Sequence, residues 1–473
     1  MRIGRTLSVR LSHNWRHGAA EFDDENLVSC AGLVPVMELA AQTGLSDLYE
    51  EHVVFRSERI RSGAAHPTPK LTSIIAGMAA GADSIDDLDV IRAGGMKKLF
   101  DAVYAPATMG ILLREFTHGH TRQLASVLRR HLLALATRTD LLDGITEQAF
   151  VDIDSLLRPV YGRAKQGASF GHTKIANKQV LRKGLSPLAT TISTRTAAPV
   201  LAGIRLRAGK AGSGKGAASM ITEAINTAKA AGANTILCRG DSAFGNGKAI
   251  AAVVKGGALF SFVLTKSRSV LRAIGTIAQD SWTPVRYPGA VLDPDTGELI
   301  SDAEVAEVAY TAFASTKYEI TARLIVRRVR DRNHPDELFP VWRYHPFFTN
   351  NTQPVTDADI THRQHAIIES VFADLIDGPL AHLPSGVFAA NTAWAILAAI
   401  THNLLRAAGT LTDHTHAVAR GATLRRHLIN VPARIARPQG KPTLHLSAHW
   451  PRAKHWKTLW DNIFTDHNRQ LAA

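Results

Sequence analysis

Four carboxylates stand where they could do chemistry. Asp152 and Asp154 alternate along FVDIDSLL, a strand pattern that puts both on one face. Asp241 follows the apolar run TILCR and Gly240, a glycine expected to let the backbone turn sharply. Glu369 lies in HRQHAIIESVFADLI among Ile367, Ile368 and Phe372, which predicts a half-buried helix with the acid facing a site or a polar partner. An acid just past a buried strand is costly unless it is solvated or binds a cation. Carboxylates brought together repel at neutral pH, and divalent cations relieve that repulsion. Two such ions about 3.5–4 Å apart stabilise both the attacking and the leaving oxygen of a phosphodiester. An all-carboxylate set points to Mg2+, with Mn2+ as substitute. Singly, each acid is more often a cap or a surface residue. Their order on successive elements is what joins them.

Those elements are legible from about Phe150. FVDIDSLL, SPLATTIST and AAPVLAGIRLR read as strands, AASMITEAINTAKAAGA as a helix, and NTILCRGDSAF as a short buried strand. A further helix and the strand ALFSFVLTK follow. Three strands, helix, strand, helix, strand is the ribonuclease-H-like order. Residues 268–350 carry turn signals (YPGAVLDPDTGE, RDRNHPDE) and β-rich runs, so a β-rich insertion is expected there. Helical texture resumes at Asp357 and again in NTAWAILAAITHNLLRAAG. The first ~145 residues read as helical, with Leu124, Val127, Leu128, Leu132 and Leu135 on one face beside Arg122, Arg129 and Arg130. LTSIIAGMAAGADSIDDLDVIR predicts two packed helices, the second capped by Ser84. Asp86, Asp87 and Asp89 on that second helix argue against a DNA-reading surface.

The charge balance names a class of partner. The 473 residues include 55 Lys or Arg against 41 Asp or Glu, a net +14 that favours a polyanion through counterion release. Between His414 and Trp460 there are nine Lys or Arg, no acid, and Trp450 and Trp456 interleaved. Contact with a DNA backbone is expected there, from Arg425, Arg426, Arg434 and Arg437 among others. Cys30 and Cys238 form neither a disulfide framework nor a zinc-finger pattern, which suits a reducing cytoplasm. MRIGRTLSVRLSHNWRHG lacks the apolar run of a secretory signal. The stretch from Val387 to Leu405 is interrupted by Asn391, Thr392, His402 and Asn403, and reads as a buried helix rather than a membrane span. Gly209, Gly214 and Lys215 spell the opening of a P-loop, but Gly216 stands where a Ser or Thr should hold magnesium. A flexible connector is expected instead, and no ATP. None of the 21 His stands in an HExxH-like pattern.

VDIDS, RGDSAFG and HRQHAIIE–VFADL resemble blocks of the DDE transposases of the insertion-sequence thirteen-eighty family, in the group related to insertion-sequence four. The resemblance covers nearly the whole chain from SHNWRHGAAEFDDENLVSCAGLVPV onward. It implies catalytic and metal-binding roles for Asp154 (followed by Ser155, with Asp152 as fallback), for Asp241 in its D-x-x-F context with Phe244, and for Glu369. It implies cleavage at paired transposon ends, strand transfer into target DNA, double-stranded DNA as partner (terminal inverted repeats and target), a homodimer on DNA, and a bacterial, nucleoid-associated location. The wider group surrounds its Glu with a Tyr, an Arg and a Lys; here His362, His365 and Ile376 stand instead, which puts a hairpin intermediate in doubt. Arg239, Lys266, Arg363 and His365 are candidate phosphate contacts near the site, and Trp342 a candidate for stacking on a base. The expected fold is α/β: a helical region at 1–145 for DNA ends or dimer contacts, a ribonuclease-H-like core at 146–267 and 351–410, a β-rich insertion at 268–350, and a basic segment at 411–473. Two rivals remain: a decayed copy that only binds transposon ends, and a P-loop ATPase acting on DNA.

Overall fold

The computed structural model describes residues 19–55, 63–175, 178–212, 214–285, 303–330 and 341–471, together with 292, 294, 295 and 297. The N-terminal MRIGRTLSVRLSHNWRHG, nearly all of RDRNHPDE and most of YPGAVLDPDTGE lie outside these residues.

A mixed sheet carries the architecture. Strand β1 (Ala149–Ser155) pairs antiparallel with the sixteen-residue β2 (Lys178–Ser193), which pairs antiparallel with β3 (Val200–Ala208). On its other edge β1 runs parallel to β4 (Ile236–Gly240), and β4 runs parallel to β5 (Leu259–Val263). Helices α1 (Ala217–Ala230) and α2 (Gly247–Lys255) make the crossovers that parallel pairing requires. Every residue of β4 is buried, which is why it reads as an unbroken run rather than an alternation. The first half of β2 pairs with a strand at Ser169–Ile175, a hairpin that the sequence did not announce.

The β-rich stretch after residue 268 continues this same sheet. β6 (Ala303–Ala312), β7 (Ile320–Arg330) and β8 (Trp342–Thr349) form a meander, and β8 pairs with β5 from Phe347↔Val263 to Thr349↔Ser261. The chain then enters α3 (Val355–Arg363), a 3-10 turn at Gln364–Ile367, and α4 (Ile368–Ile376).

Helix α5 (Phe388–Thr410) is buried along nearly its whole length. Two polar residues that interrupt its apolar run are hydrogen-bonded to backbone. Asn403 accepts from the Leu201 N–H at 2.8 Å and donates to the Leu201 carbonyl at 2.9 Å, beside the register shift of the β2–β3 pair. Asn391 makes the same double contact with Ser385. Among the described residues no helix is long and apolar enough to cross a membrane.

The N-terminal helices are Leu33–Gln42, Leu45–His52, Pro67–Ala80, Pro106–Glu115 and His118–Arg138. Asp86–Arg92 is a 3-10 helix rather than an α-helix, packed so closely that a Cβ on Gly77 would meet Leu88 at 2.5 Å. Arg122 and Arg129 do not face outward as a pair. They converge with Arg205 on Glu223 of α1, at 2.7, 3.1 and 3.2 Å.

The two ends of the chain meet in a small sheet, where Leu27–Val28 pairs with Ala433–Ala436 and that strand with Thr443–Leu446. Next to it the Gly32 N–H donates to the Ile429 carbonyl at 3.1 Å, and a Cβ on Gly32 would lie 1.7 Å from the Leu428 carbonyl oxygen. Because the obstacle is backbone, Gly32→Ala is expected to destabilise the protein by about 1–3 kcal/mol. Thermal unfolding measures this, and an unchanged Tm would mean that the end-to-end contact contributes nothing.

Candidate active site

Strand register brings two of the acids together. Asp152 pairs with Arg239 and Ile153 with Gly240 across β1 and β4, so Asp154 and Asp241 follow at the carboxyl ends of adjacent parallel strands. Helix α4 packs over β1 with Ile368, Val371, Phe372 and Leu375 buried, and leaves Glu369 exposed in its first turn. Asp154 is half-buried, with Oδ1 accepting from the Ser155 N–H at 2.6 Å. Asp241 is exposed, and its Oδ1 accepts from the Ala243 N–H at 2.9 Å while Phe244 anchors the turn from the core. Gly240 is required for a different reason than expected. Its φ is not positive, but a Cβ would meet the Phe262 ring at 2.9 Å.

Burial pushes the Asp154 carboxyl up to about 7, with Asp241 and Glu369 adding to the rise and the Ser155 N–H and Arg207 opposing it. The folded value thus lies above the ordinary 3.8. In metal-free protein the associated stability is fully present below about pH 4 and is lost as pH rises through about 7. Unfolding in EDTA at pH 5.5 and 7.5 should therefore show lower stability at the higher pH, and Asp154→Asn should flatten the difference. The three carboxylates are spaced more openly than a single-ion cage whose ligand atoms would all lie within 4.8 Å of one another.

Behind the acids lies a buried clamp. The Arg239 guanidinium donates from Nε to Asp152 Oδ1 at 2.7 Å, from Nη2 to Asp152 Oδ2 at 2.8 Å, and from Nη1 to the Thr361 carbonyl at 2.8 Å. It also lies over the Phe150 ring, 4.2 Å from the centroid. One side chain therefore ties together β1, β4 and α3, the elements that carry Asp154, carry Asp241 and lead to Glu369. This corrects two expectations. Arg239 and Asp152 are each 1% exposed and paired with each other, so Arg239 reaches no phosphate and Asp152 faces no open site.

Lys266, Arg363 and His365 line a cavity of about 380 Å³ with Ser242, Arg327, Tyr344 and His345. His362 forms part of its wall and not a reaching arm. It is buried, stacked on Phe347 at 4.2 Å, bonded to Ser261 Oγ at 2.8 Å, and held well below the usual histidine range by burial. His365 Nδ1 bonds to the His362 carbonyl at 2.6 Å. Trp342 is half-buried, and with Trp282 it sandwiches the Arg328 guanidinium at 4.3 and 4.2 Å, so that ring face is already covered.

The basic C-terminal run meets its acids across the fold. Asp374, on the buried side of α4, binds Arg420, the Gly421 N–H and Arg406, and Asp377 binds Arg420. Arg425 is buried and donates to the Asp377 carbonyl at 2.9 Å, which corrects its expected role on DNA. Arg434 pairs with Asp24 at 3.2 Å and stays largely exposed. Arg426 and Arg437 are exposed, while Trp450 and Trp456 line an apolar cavity of about 780 Å³. The sequence held one sign of this: an Asp between Val371 and Leu375 on an apolar helix face demands a partner.

In the Gly209–Gly216 connector, the carbonyls of Gly212 and Lys215 point at the Arg207 guanidinium. A phosphate cradle needs N–H groups turned inward; this connector turns carbonyls toward a cation.

No curated protein matches the chain. A solved structure, described as a cryo-EM structure of a piggyBac transposase synaptic complex with hairpin DNA, is similar at 10% identity with a TM-score of 0.40, over 93% of this chain and 82% of that one. Residues 14–467 match the family described as transposase DDE domain group 1, and the chain belongs to that family.

Proposed function

We propose that this protein cleaves DNA at the ends of an insertion sequence of the thirteen-eighty type and joins the freed 3′ ends to target DNA, with Asp154, Asp241 and Glu369 as its catalytic carboxylates. The observation that carries this reading is the β1–β4 register, which sets two acids side by side at the ends of parallel strands under the helix bearing the third. The core order of β1, β2 and β3, then helix, strand, helix and strand supports a ribonuclease-H-like description, with the short strands Arg158–Pro159 and Ser169–Ile175 added between β1 and β2.

The donor set fits divalent cations. Asp154 is raised toward neutrality by burial and by its acidic neighbours Asp241 and Glu369, the strain that Mg2+ or Mn2+ would relieve. When bound, the ions would supply an activated water and stabilise the charge on the attacking and leaving oxygens. The chain's own residues do the rest. The Arg239 clamp ties β1 and β4, which position Asp154 and Asp241, to α3, which leads to the helix bearing Glu369. Lys266, Arg363 and His365 bind phosphates of the strand entering the 380 Å³ cavity. Exposed Arg426 and Arg437 extend the contact to duplex further out, and a homodimer on DNA presents two sites to two ends. The buried His362 cannot swing toward DNA, which argues against a hairpin that depends on an aromatic arm at that position.

The test is Mg2+-dependent nicking of a labelled duplex bearing the element's own terminal repeat, wild type beside Asp241→Asn. Cutting by wild type, with binding but no cutting by the variant, is the expected result. Equal binding and no cutting by either, with Mg2+ or Mn2+, would leave a copy that only binds transposon ends.

A further inference from the structure

Three of the histidines that showed no motif in sequence, His416, His427 and His455, meet in one place. Asp413 follows α5 and caps the short helix His414–Ala417, with Oδ1 accepting from the His416 N–H at 3.0 Å. Its other oxygen, Oδ2, lies 2.8 Å from His416 Nδ1 and 3.5 Å from His455 Nε2. His455 belongs to the first turn of α6 (Ala453–Leu471). Among the described residues, these are the three His, Cys, Asp or Glu side chains whose ligand atoms all lie within 4.8 Å of one another. We propose that Asp413, His416 and His455 form a transition-metal site, taken by Zn2+, that staples α6 to the end of α5.

The chemistry of the donors selects the metal. Two imidazoles and one carboxylate suit Zn2+ or its first-row neighbours, whereas Mg2+ and Ca2+ take oxygen ligands. Ligands at about 2.0–2.1 Å in a tetrahedron stand ~3.3 Å apart, and the gaps of 2.8 and 3.5 Å bracket that spacing. A partner for the second nitrogen orients a metal-bound imidazole; His416 Nε2 has one in His427 Nδ1 at 3.2 Å, whereas among the described residues no side chain or backbone group supplies one to His455 Nδ1. Without metal, a proton sits between His416 Nδ1 and Asp413. With metal, the ion replaces that proton and His416 donates from Nε2 to His427. His455 is the residue that hydrogen bonding leaves unexplained. Its Nδ1 is buried without a partner, and its Nε2 approaches Asp413 only at 3.5 Å. An imidazole turned toward a carboxylate without bonding to it is placed as a ligand would be.

The site is tested by titrating Zn2+ into the full chain in excess Mg2+, which occupies the carboxylate triad, with Co2+ absorption reporting nitrogen ligation. One equivalent is expected to bind. His455→Ala, on a half-buried position of a surface helix, should weaken binding by at least the roughly 10–100-fold that loss of an outer partner costs. Asp241→Asn should bind as wild type does. Zn2+ should also slow proteolysis within α6 in wild type and not in His455→Ala. Absence of Zn2+ binding in excess Mg2+, or equal binding by wild type and His455→Ala, would overturn the site and leave a hydrogen-bonded helix cap.

Discussion

Asp154→Asn is expected to leave DNA binding intact and to lower Mg2+-dependent cleavage by at least roughly 10²–10³-fold, the scale for removing one group that stabilises transition-state charge. Asp241→Asn and Glu369→Gln should do the same, because each removes one anionic donor from a shared set. Residues acting as a unit are not additive, so Asp154→Asn combined with Asp241→Asn should cut about as poorly as the worse single variant. Asp152→Asn is the discriminating control. It sits two residues away on the same strand, but it is buried against Arg239 and not open to solvent. It should lower stability while the correctly folded fraction still cuts with an unchanged Mg2+ requirement. Comparable cleavage by Asp154→Asn and wild type, with Asp152→Asn inactive though folded, would exchange the roles of the two aspartates. Quantitative nicking at matched folded fraction separates these outcomes.

Breaking the clamp should have the largest effect on stability. Arg239→Met leaves Asp152 as an uncompensated buried charge, a loss of about 3–5 kcal/mol. Urea unfolding measures it. Asp152→Leu combined with Arg239→Met removes both charges and should recover most of that loss, since a buried pair is often replaceable by apolar packing. Cleavage should not recover in step. The double variant still lacks the donor to the Thr361 carbonyl, so α3 and the helix after it lose their tie to the strands. Full recovery of both stability and cleavage would show that the clamp has no part in positioning Glu369.

Most of the strand and helix order from Phe150 to Lys266 was legible because those elements carry their own period, and the acids stood out as charges ending apolar runs. What stayed hidden was pairing at a distance. Nothing local in TILCRG says that Arg239 points inward to Asp152, since a cation at a strand end reads equally well as a surface group. The acid-free run from His414 to Trp460 looked uncompensated because Asp374, Asp377 and Asp24 lie far away in sequence. The strand Ser169–Ile175 went unseen because GHTKIANKQV has neither clean alternation nor a two-residue turn signal. The sequence suggested an insertion, yet β8 hydrogen-bonds directly to β5, and alternation within a strand does not reveal its neighbour.

The small sheet that joins the two ends of the chain also sets a timetable. Val28 pairs with Ala433, so roughly 400 residues must be made before the first described strand finds its partner. At about 5–20 residues per second that is a wait of roughly 20–80 s on the ribosome. Until that wait ends the backbone that Gly32 packs against does not exist, while by then every strand of the acid-bearing core has been made. A message truncated after the codon for Glu369 but before codon 433 would thus release a chain with all three acids and an open N-terminal edge, a product for proteases rather than for DNA.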